Sequence, residues 1–213
     1  MIPVFITARL ASTRLPRKHL LKLGNYTVIE HVYLRCKHFG FEPTICVPVT
    51  EKGSWMAAIP NIKFETGHPD HIKARLFEVA GRLRIKKFHH LDGDDPFFNP
   101  VAIKDNWHNP RECHQINPSA VSAAGQASMG TLYDLNFKTG SEEAYDYYSA
   151  PWPQRLTLDY EEDYHLLCAV NRMVGGYMAP RWAVDELFVR NPDLHKINWF
   201  RTDEWKARQL AEC

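Results

Sequence analysis

Short apolar runs and amphipathic segments alternate along most of this 213-residue chain. Apolar runs bounded by turn-forming residues predict buried strands, and apolar positions three or four residues apart predict helices packed on a sheet. The predicted strands are Pro3–Thr7, Thr44–Val49, Ile62–Glu65, Lys87–Leu91, Met129–Phe137 and Arg155–Leu158. The predicted helices are Val28–His38, Pro69–Leu83, Pro100–His108, Glu161–Met173 and Arg181–Arg190, and Leu194–Phe200 is expected to be an extended tail.

The order of these elements predicts the fold class. Strands that alternate with helices favour a largely parallel sheet, because a parallel neighbour requires a crossover connection. We therefore expect an α/β fold of three layers, with a mostly parallel central sheet between helices and one domain over residues 1–213. The pattern is weakest over Pro110–Pro153, where Pro, Gly, Ser and Asn are frequent.

Composition narrows the class of protein. With 45% hydrophobic and 12% aromatic residues, the chain can bury a full core. Its net charge of +1 gives no overall attraction for nucleic acid or an anionic membrane, so neither is expected as a partner. The five cysteines are scattered without a C-x-x-C pair, which indicates reduced thiols rather than a zinc site. The first apolar run, Met1–Ile6, is too short for a signal peptide, so we expect a cytoplasmic protein.

A cationic loop follows the first predicted strand, at the position where open α/β sheets bind ligands. Its four positive charges and two hydroxyls lie within ten residues: Arg9, Ser12, Thr13, Arg14, Arg17 and Lys18. Arginine forks and a lysine suit a multiply charged oxyanion such as a triphosphate. The loop has neither the Walker nor the Rossmann glycine pattern, so side chains must supply much of the charge. The alternative is a solvated basic loop, which does not explain the Leu15-Pro16 pair inside it.

Two acidic segments are the other candidates for chemistry. Asp92, Asp94 and Asp95 follow the strand Lys87–Leu91, and hard carboxylate ligands suit Mg²⁺. The alternative for this group is an ordinary acidic turn. Asp159 follows the second segment, Arg155–Leu158, where helix capping is the alternative explanation, and the neighbouring Glu162 and Asp163 are expected to be structural.

The cationic loop closely resembles the signature A-R-x-x-S-[ST]-R-L-P-x-K-x-L of the nucleotide-activated sugar synthetases. These are the cytidylyltransferases that make CMP-3-deoxy-manno-octulosonate and CMP-sialic acid, with the related spore-coat polysaccharide group. The matching residues are Ala8, Arg9, Ser12, Thr13, Arg14, Leu15, Pro16, Lys18 and Leu20. Arg17 departs from the family, which usually has glycine before the lysine, and this departure puts the path of the loop in question.

The resemblance implies a Rossmann-like fold of the nucleotide-diphospho-sugar transferase type and a Mg²⁺-dependent transfer of CMP from CTP to a sugar. Arg14 and Lys18 would hold the β- and γ-phosphates, with Arg9 near the α-phosphate. Asp94 would act in catalysis and share a metal site with Asp159. The further substrate-binding residues would be Ala8, Ser12, Thr13, Arg17, Arg75, Asp92 and Asp95.

Several alternatives stay open at this point. Arg75 is about as well explained as a surface arginine of the helix Pro69–Leu83. The acceptor could be a sugar phosphate, or the protein could be a non-catalytic nucleotide-binding relative. The resemblance also implies a homodimer, for which we expect the aromatic stretch Tyr145–Trp152 to supply contacts, within a shortened sugar-side or dimerisation region at 110–153.

Overall fold

In the part of the chain that the structure describes, six strands form a central sheet. The computed structural model describes residues 1–108, 130–134, 143–145 and 154–211. The sheet strands are β1 (Ile2–Thr7), β4 (Phe41–Pro48), β5 (Phe64–Gly67), β6 (Lys87–Asp92), β7 (Gly130–Asp134) and β8 (Glu143–Tyr145). Their order across the sheet is β5-β4-β1-β6-β7-β8. The strands β5, β4, β1 and β6 are parallel, whereas β7 and β8 are antiparallel to their neighbours. The prediction of a mostly parallel sheet is confirmed.

Helices cover both faces of this sheet. They are α1 (Val28–His38), α2 (Lys52–Ala58), α3 (Ile72–Leu83), α4 (Pro100–His108), α5 (Glu161–Val174), α6 (Arg181–Arg190) and α7 (Arg201–Ala211). A two-stranded hairpin of β2 (Lys22–Leu23) and β3 (Tyr26–Thr27) precedes α1. Among the described residues, none of these helices is long and apolar enough to cross a lipid bilayer.

Alternation along β1 explains the three layers. Val4 and Ile6 are buried against one face, in a cluster that includes Ile29 of α1 and Ile103 of α4. Phe5 points to the opposite face and packs in a cluster with residues of α3. Successive side chains of a strand point to opposite faces, so one short apolar run joins both helical layers. The predicted three-layer arrangement is therefore present.

The topology places candidate site residues beside β1. From β1 the chain proceeds to β4 on one side of it and later returns to β6 on the other side. The carboxyl ends of β1 and β6 thus lie next to each other, with Thr7 paired to Asp92. This is a topological switch point, where open α/β sheets bind ligands.

Two predicted elements were wrong. The segment Arg155–Leu158 is not a strand of the sheet: the Leu158 N–H donates to the Asp94 carbonyl at 2.9 Å, and Asn198 Nδ2 donates to the Arg155 carbonyl at 2.8 Å. Leu156 and Leu158 are buried in a cluster with α5 and α6. Because these two apolar residues are two positions apart, the segment has the sequence pattern of a strand. Leu194–Phe200 is not extended either, because it begins with a short 3₁₀ helix, Leu194–Ile197.

The other predicted elements differ mainly at their ends. The helices α1, α4 and α6 have the predicted bounds, and α1 begins with a capping box between Thr27 and Glu30. The helix α3 begins at Ile72 rather than Pro69, because the His68 ring accepts the N–H groups of Asp70 and His71 in a preceding turn. Most of 110–153 lies outside the described residues, including 146–152 of the expected dimer contact.

Candidate functional site

A cavity of about 690 Å³ opens at the carboxyl ends of β1, β4 and β6. All but one of the sequence-predicted site residues line it: Ala8, Arg9, Ser12, Thr13, Arg14, Lys18, Arg75, Asp92, Asp94, Asp95 and Asp159. The exception is Arg17, which is exposed and does not line the cavity. The fold thus brings together residues from four separate parts of the sequence.

Lys18 lies at the centre of this group and is only 7% exposed. Its ammonium group contacts Asp94 and donates to Asp159 Oδ1 at 2.9 Å. Burial would lower the pKa of Lys18, but the charges of Asp94 and Asp159 outweigh it and raise the pKa above its ordinary value. Lys18 is therefore a fixed cation between two carboxylates.

Arg14 also forms an ion pair with Asp159. Its guanidinium lies 3.0 Å from Asp159 Oδ1 and 5.6 Å from the centre of the Tyr160 ring. Although burial opposes ionisation of Asp159, Lys18 and then Arg14 lower its pKa below the ordinary value. Asp159 is thus ionised at neutral pH.

Asp163 holds the backbone at Asp159. Its Oδ2 accepts the N–H groups of Asp159 and Tyr160, both at 2.9 Å, and Arg155 Nε donates to its Oδ1 at 2.8 Å. The N-cap residue of α5 is Tyr160, and the side chain that binds its N–H is that of Asp163, so helix capping does not explain Asp159. The expected structural role of Asp163 agrees with these bonds. Asp159 reaches the site because Leu158 bonds to the Asp94 carbonyl, and not because it closes a strand.

Three carboxylates group together beyond the end of β6. Ligand oxygens of Asp92, Asp94 and Asp95 lie within 4.8 Å of one another. Burial and the neighbouring Asp94 and Asp92 charges raise the pKa of Asp95 well above its usual range. Burial also raises the pKa of Asp94, against the opposing effect of Lys18. Such crowding favours a cation, and oxygen ligands of this kind suit Mg²⁺.

Thr7 and His90 orient Asp92 within this group. The Thr7 hydroxyl donates to Asp92 Oδ1 at 3.0 Å and lies 2.9 Å from His90 Nε2. Despite desolvation, His90 and Thr7 lower the pKa of Asp92 below its ordinary value. The carboxylate therefore keeps its charge and its direction toward the cavity.

Gly93 joins the acidic segment to the end of β1, and His19 bonds back to the start of the cationic loop. The Gly93 N–H donates to the Thr7 carbonyl at 2.9 Å, and the His19 ring donates from Nδ1 to the Arg9 carbonyl at 3.0 Å. A Cβ at Gly93 would lie 2.7 Å from the Thr7 carbonyl oxygen, so no larger residue fits there without a shift. Burial lowers the pKa of His19 to about 3, so this histidine is neutral at pH 7.

The path of the loop at Arg17 is now defined. Arg17 has φ of 56°, the left-handed conformation that glycine adopts without strain. Its N–H donates to the Leu10 carbonyl at 3.2 Å, which closes the loop on itself. An arginine thus occupies, in a strained conformation, the position at which the resembled family usually has glycine.

Arg75 is not a surface arginine, so that alternative was wrong. It is 2% exposed, and its guanidinium donates to the carbonyls of His68 at 2.9 Å and Pro69 at 2.7 Å. These bonds hold the turn before α3 at the edge of the cavity. Sequence reasoning also missed other cavity-lining residues, among them His19, Glu51, Thr157 and Trp205.

Part of the chain is similar in sequence to known cytidylyltransferases. Residues 4–106 match the family model described as cytidylyltransferase. The chain is 34% identical over 114 residues to the 3-deoxy-manno-octulosonate cytidylyltransferase of Nitrobacter hamburgensis, covering 48% of this chain and 42% of that protein. It is 30% identical over 129 residues to 3-deoxy-manno-octulosonate cytidylyltransferase 2 of Actinobacillus pleuropneumoniae, covering 56% of this chain and 49% of the relative. The matches thus span less than half the length of these two curated relatives.

A solved structure extends the likeness in fold. The cytidylyltransferase of Leptospira borgpetersenii serovar Hardjo-bovis superposes with a TM-score of 0.71 at 18% identity, covering 91% of this chain and 95% of that one. At this identity the superposition shows the fold alone, and it confirms the predicted fold type. The sequence matches confirm the resemblance to cytidylyltransferases that the cationic loop indicates.

Proposed function

We propose that this protein is a cytidylyltransferase that transfers CMP from CTP to a sugar and releases pyrophosphate. The observation that supports this most directly is the meeting of the cationic loop and the carboxylates in one cavity, around Lys18. Nucleotidyl transfer requires both a clamp for phosphates and carboxylates that can hold a metal ion. The names of the similar proteins favour CTP as donor and an acidic sugar, such as 3-deoxy-manno-octulosonate, as acceptor.

The reaction is a displacement at phosphorus. A sugar hydroxyl oxygen forms a bond to the α-phosphorus of CTP while the bond from this phosphorus to the oxygen that bridges it to the β-phosphorus breaks. Pyrophosphate leaves with that oxygen, and the proton of the sugar hydroxyl passes to solvent. Arg9, Arg14 and Lys18 neutralise the phosphates, and most of the catalysis is positioning and charge stabilisation. Lys18 and Arg14 are held by Asp159 before substrate arrives, so little reorganisation is needed.

Mg²⁺ belongs to this proposal because the carboxylates fit it. Oxygens of Asp92, Asp94 and Asp95 lie within 4.8 Å of one another, whereas the Lys18 ammonium lies between Asp94 and Asp159 and would have to shift for these two to share an ion. Asp94 belongs both to the group Asp92, Asp94 and Asp95 and to the pair of carboxylates that contact Lys18, in which Asp159 is the other member. When bound, the ion supplies charge neutralisation and orientation of the phosphates.

Pyrophosphate release tests the function. The assay combines each of the four common nucleoside triphosphates with a panel of sugars and sugar phosphates, with and without Mg²⁺. We expect release with CTP, an acidic sugar and Mg²⁺, and its loss in Asp94→Asn. A matched control is Asp193→Asn, because Asp193 pairs with Lys196 on the surface. Release only with sugar phosphates would favour a product in which two phosphates link the sugar to the nucleoside. No release under any condition would favour a non-catalytic nucleotide-binding protein.

We also propose a homodimer, as the resemblance implies. Light scattering at micromolar concentration measures the mass of the protein in solution. A monomeric mass would contradict this part of the proposal.

A further inference from the structure

The Glu51 carboxylate binds the backbone of the cationic loop. Its Oε2 accepts the N–H of Leu10 at 2.8 Å, and its Oε1 accepts the N–H of Ala11 at 3.2 Å. The indole N–H of Trp55 donates to Oε2 at 3.0 Å. Trp55 is fully buried in the core beneath the sheet. One carboxylate therefore ties the loop to a rigid part of the protein.

Charge repulsion alone would disfavour a carboxylate such as Glu51 in a cavity proposed to bind phosphates. Glu51 lines the same cavity as Arg9 and Arg14, so its charge repels the phosphates that these arginines would bind. Its charge must therefore be offset by another effect, and the three hydrogen bonds provide one. Hydrogen bonds to a charged acceptor are about twice as strong as neutral ones.

The two bound amides lie at a sensitive point of the loop. Leu10 and Ala11 directly follow Arg9 and directly precede Ser12, so fixing their backbone fixes the residues on either side. The loop has no glycine, and Arg17 closes it in a strained conformation. Such a loop needs an anchor if its cations are to stay in place without a ligand.

We propose that Glu51 is a positioning residue that holds the cationic loop in its phosphate-binding conformation before the nucleotide arrives. It acts through the Leu10 and Ala11 amides and does not touch the nucleotide. The identity of the ligand rests on the proposed function, whereas the anchoring of the loop does not. Two measurements separate these parts.

Amide hydrogen exchange without nucleotide tests the anchoring. Glu51→Gln keeps the shape of the side chain but loses its charge and turns an NH₂ donor toward one loop amide. We expect the Leu10 and Ala11 amides to exchange at least about tenfold faster, since charge-assisted bonds are lost. The matched control is Asp70→Asn, which removes an exposed negative charge from the same cavity without touching the loop amides. Equal exchange in the wild-type protein and Glu51→Gln would overturn the proposal.

The KM for CTP tests the consequence. Removal of a negative charge from the cavity favours phosphate binding, whereas loss of the anchor opposes it. We expect Glu51→Gln to raise the KM for CTP about fivefold or more, because the charge-assisted hydrogen bonds that hold the loop are lost. Asp70→Asn should lower it, if it changes it at all. A lower KM in Glu51→Gln would overturn the positioning role, because charge alone would then explain Glu51.

Further variants and outcomes keep the test decisive. If Glu51→Gln does not fold, Glu51→Asp retains the charge but shortens the side chain by one methylene, and it should show the same faster exchange. If the wild-type protein turns over no nucleotide, the proposed function fails while the exchange rates still decide the anchoring. If turnover is normal and exchange is unchanged, the anchoring alone is wrong.

Discussion

Replacement of Gly93 by alanine should damage both the fold and the site, because Gly93 lies where they meet. Its N–H donates to the Thr7 carbonyl at 2.9 Å, and its neighbours on both sides are the carboxylates Asp92 and Asp94. A Cβ would lie 2.7 Å from the Thr7 carbonyl oxygen and 2.9 Å from Ile29 Cδ1. The carbonyl belongs to the backbone of a central strand and cannot rotate away, so the acidic segment must move.

The size of the effect follows from these contacts. Overpacking of a filled interior costs about 1–3 kcal/mol, and a weakened Gly93–Thr7 hydrogen bond adds about 1 kcal/mol. The reduced entropy of the unfolded chain returns about 0.4–1 kcal/mol. We therefore expect Gly93→Ala to lower the free energy of unfolding by about 1.5–3 kcal/mol. Because Asp94 moves relative to Lys18, kcat/KM should fall by on the order of a hundredfold.

Urea unfolding followed by tryptophan fluorescence measures the stability, and pyrophosphate release measures the activity. The control is Gly81→Ala on α3, where an added Cβ meets nothing within 4 Å. This change should raise the free energy of unfolding by roughly 0.5–1 kcal/mol, since alanine is favoured over glycine in a helix, and leave activity unchanged. Equal stability and activity of Gly93→Ala and the wild-type protein would refute the close approach of the two segments.

Three further predictions concern single side chains. Lys18→Ala should abolish pyrophosphate release with the circular dichroism spectrum retained, while urea unfolding shows a loss of about 3 kcal/mol because Asp94 loses its buried partner. Arg17 and Arg84 have φ of 56° and 55°, a strained conformation that glycine adopts freely, so glycine at either position should raise the free energy of unfolding by about 0.5–1 kcal/mol. Only Arg17→Gly should alter the KM for CTP, because Arg17 belongs to the cationic loop. Burial lowers the pKa of His89 from 6.5 to about 3, so the unfolded chain binds a proton that the folded protein excludes, and stability is lost as pH falls below about 6.5. Urea unfolding at pH 7 and pH 5 should therefore show the stability advantage of the wild-type protein over His89→Gln shrinking by about 2 kcal/mol in total, and a constant difference would contradict this.

Local patterns predicted the parts of the site that follow strands. The loop after β1 and the acids after β6 each lie directly behind a short apolar run, and parallel strands end at the same edge. Asp159 was assigned to the site by the same rule, but the rule does not apply to it. Leu156 and Leu158 alternate as in a strand because they pack against α5 and α6, while the backbone partner of Leu158 is Asp94, far away in sequence.

Pairings between distant side chains could not be predicted from one sequence. Lys18 was assigned to the phosphates from its place in the loop, and nothing local indicates that Asp94 and Asp159 hold it in the free protein. Glu51 follows β4 as Asp92 ends β6, so the strand-end rule could have found it. Glu51 is separated by one helical turn from its partner Trp55, but by about forty residues from the loop amides that donate to it.

The mass of the product formed from CTP and 3-deoxy-manno-octulosonate in the presence of Mg²⁺ tests the central claim most directly. The account predicts a sugar linked to CMP through a single phosphate, together with one equivalent of pyrophosphate. It also predicts no such product from Asp94→Asn under the same conditions. A product formed only from a sugar phosphate, with two phosphates between sugar and nucleoside, or no product from any acidic sugar, would contradict the account.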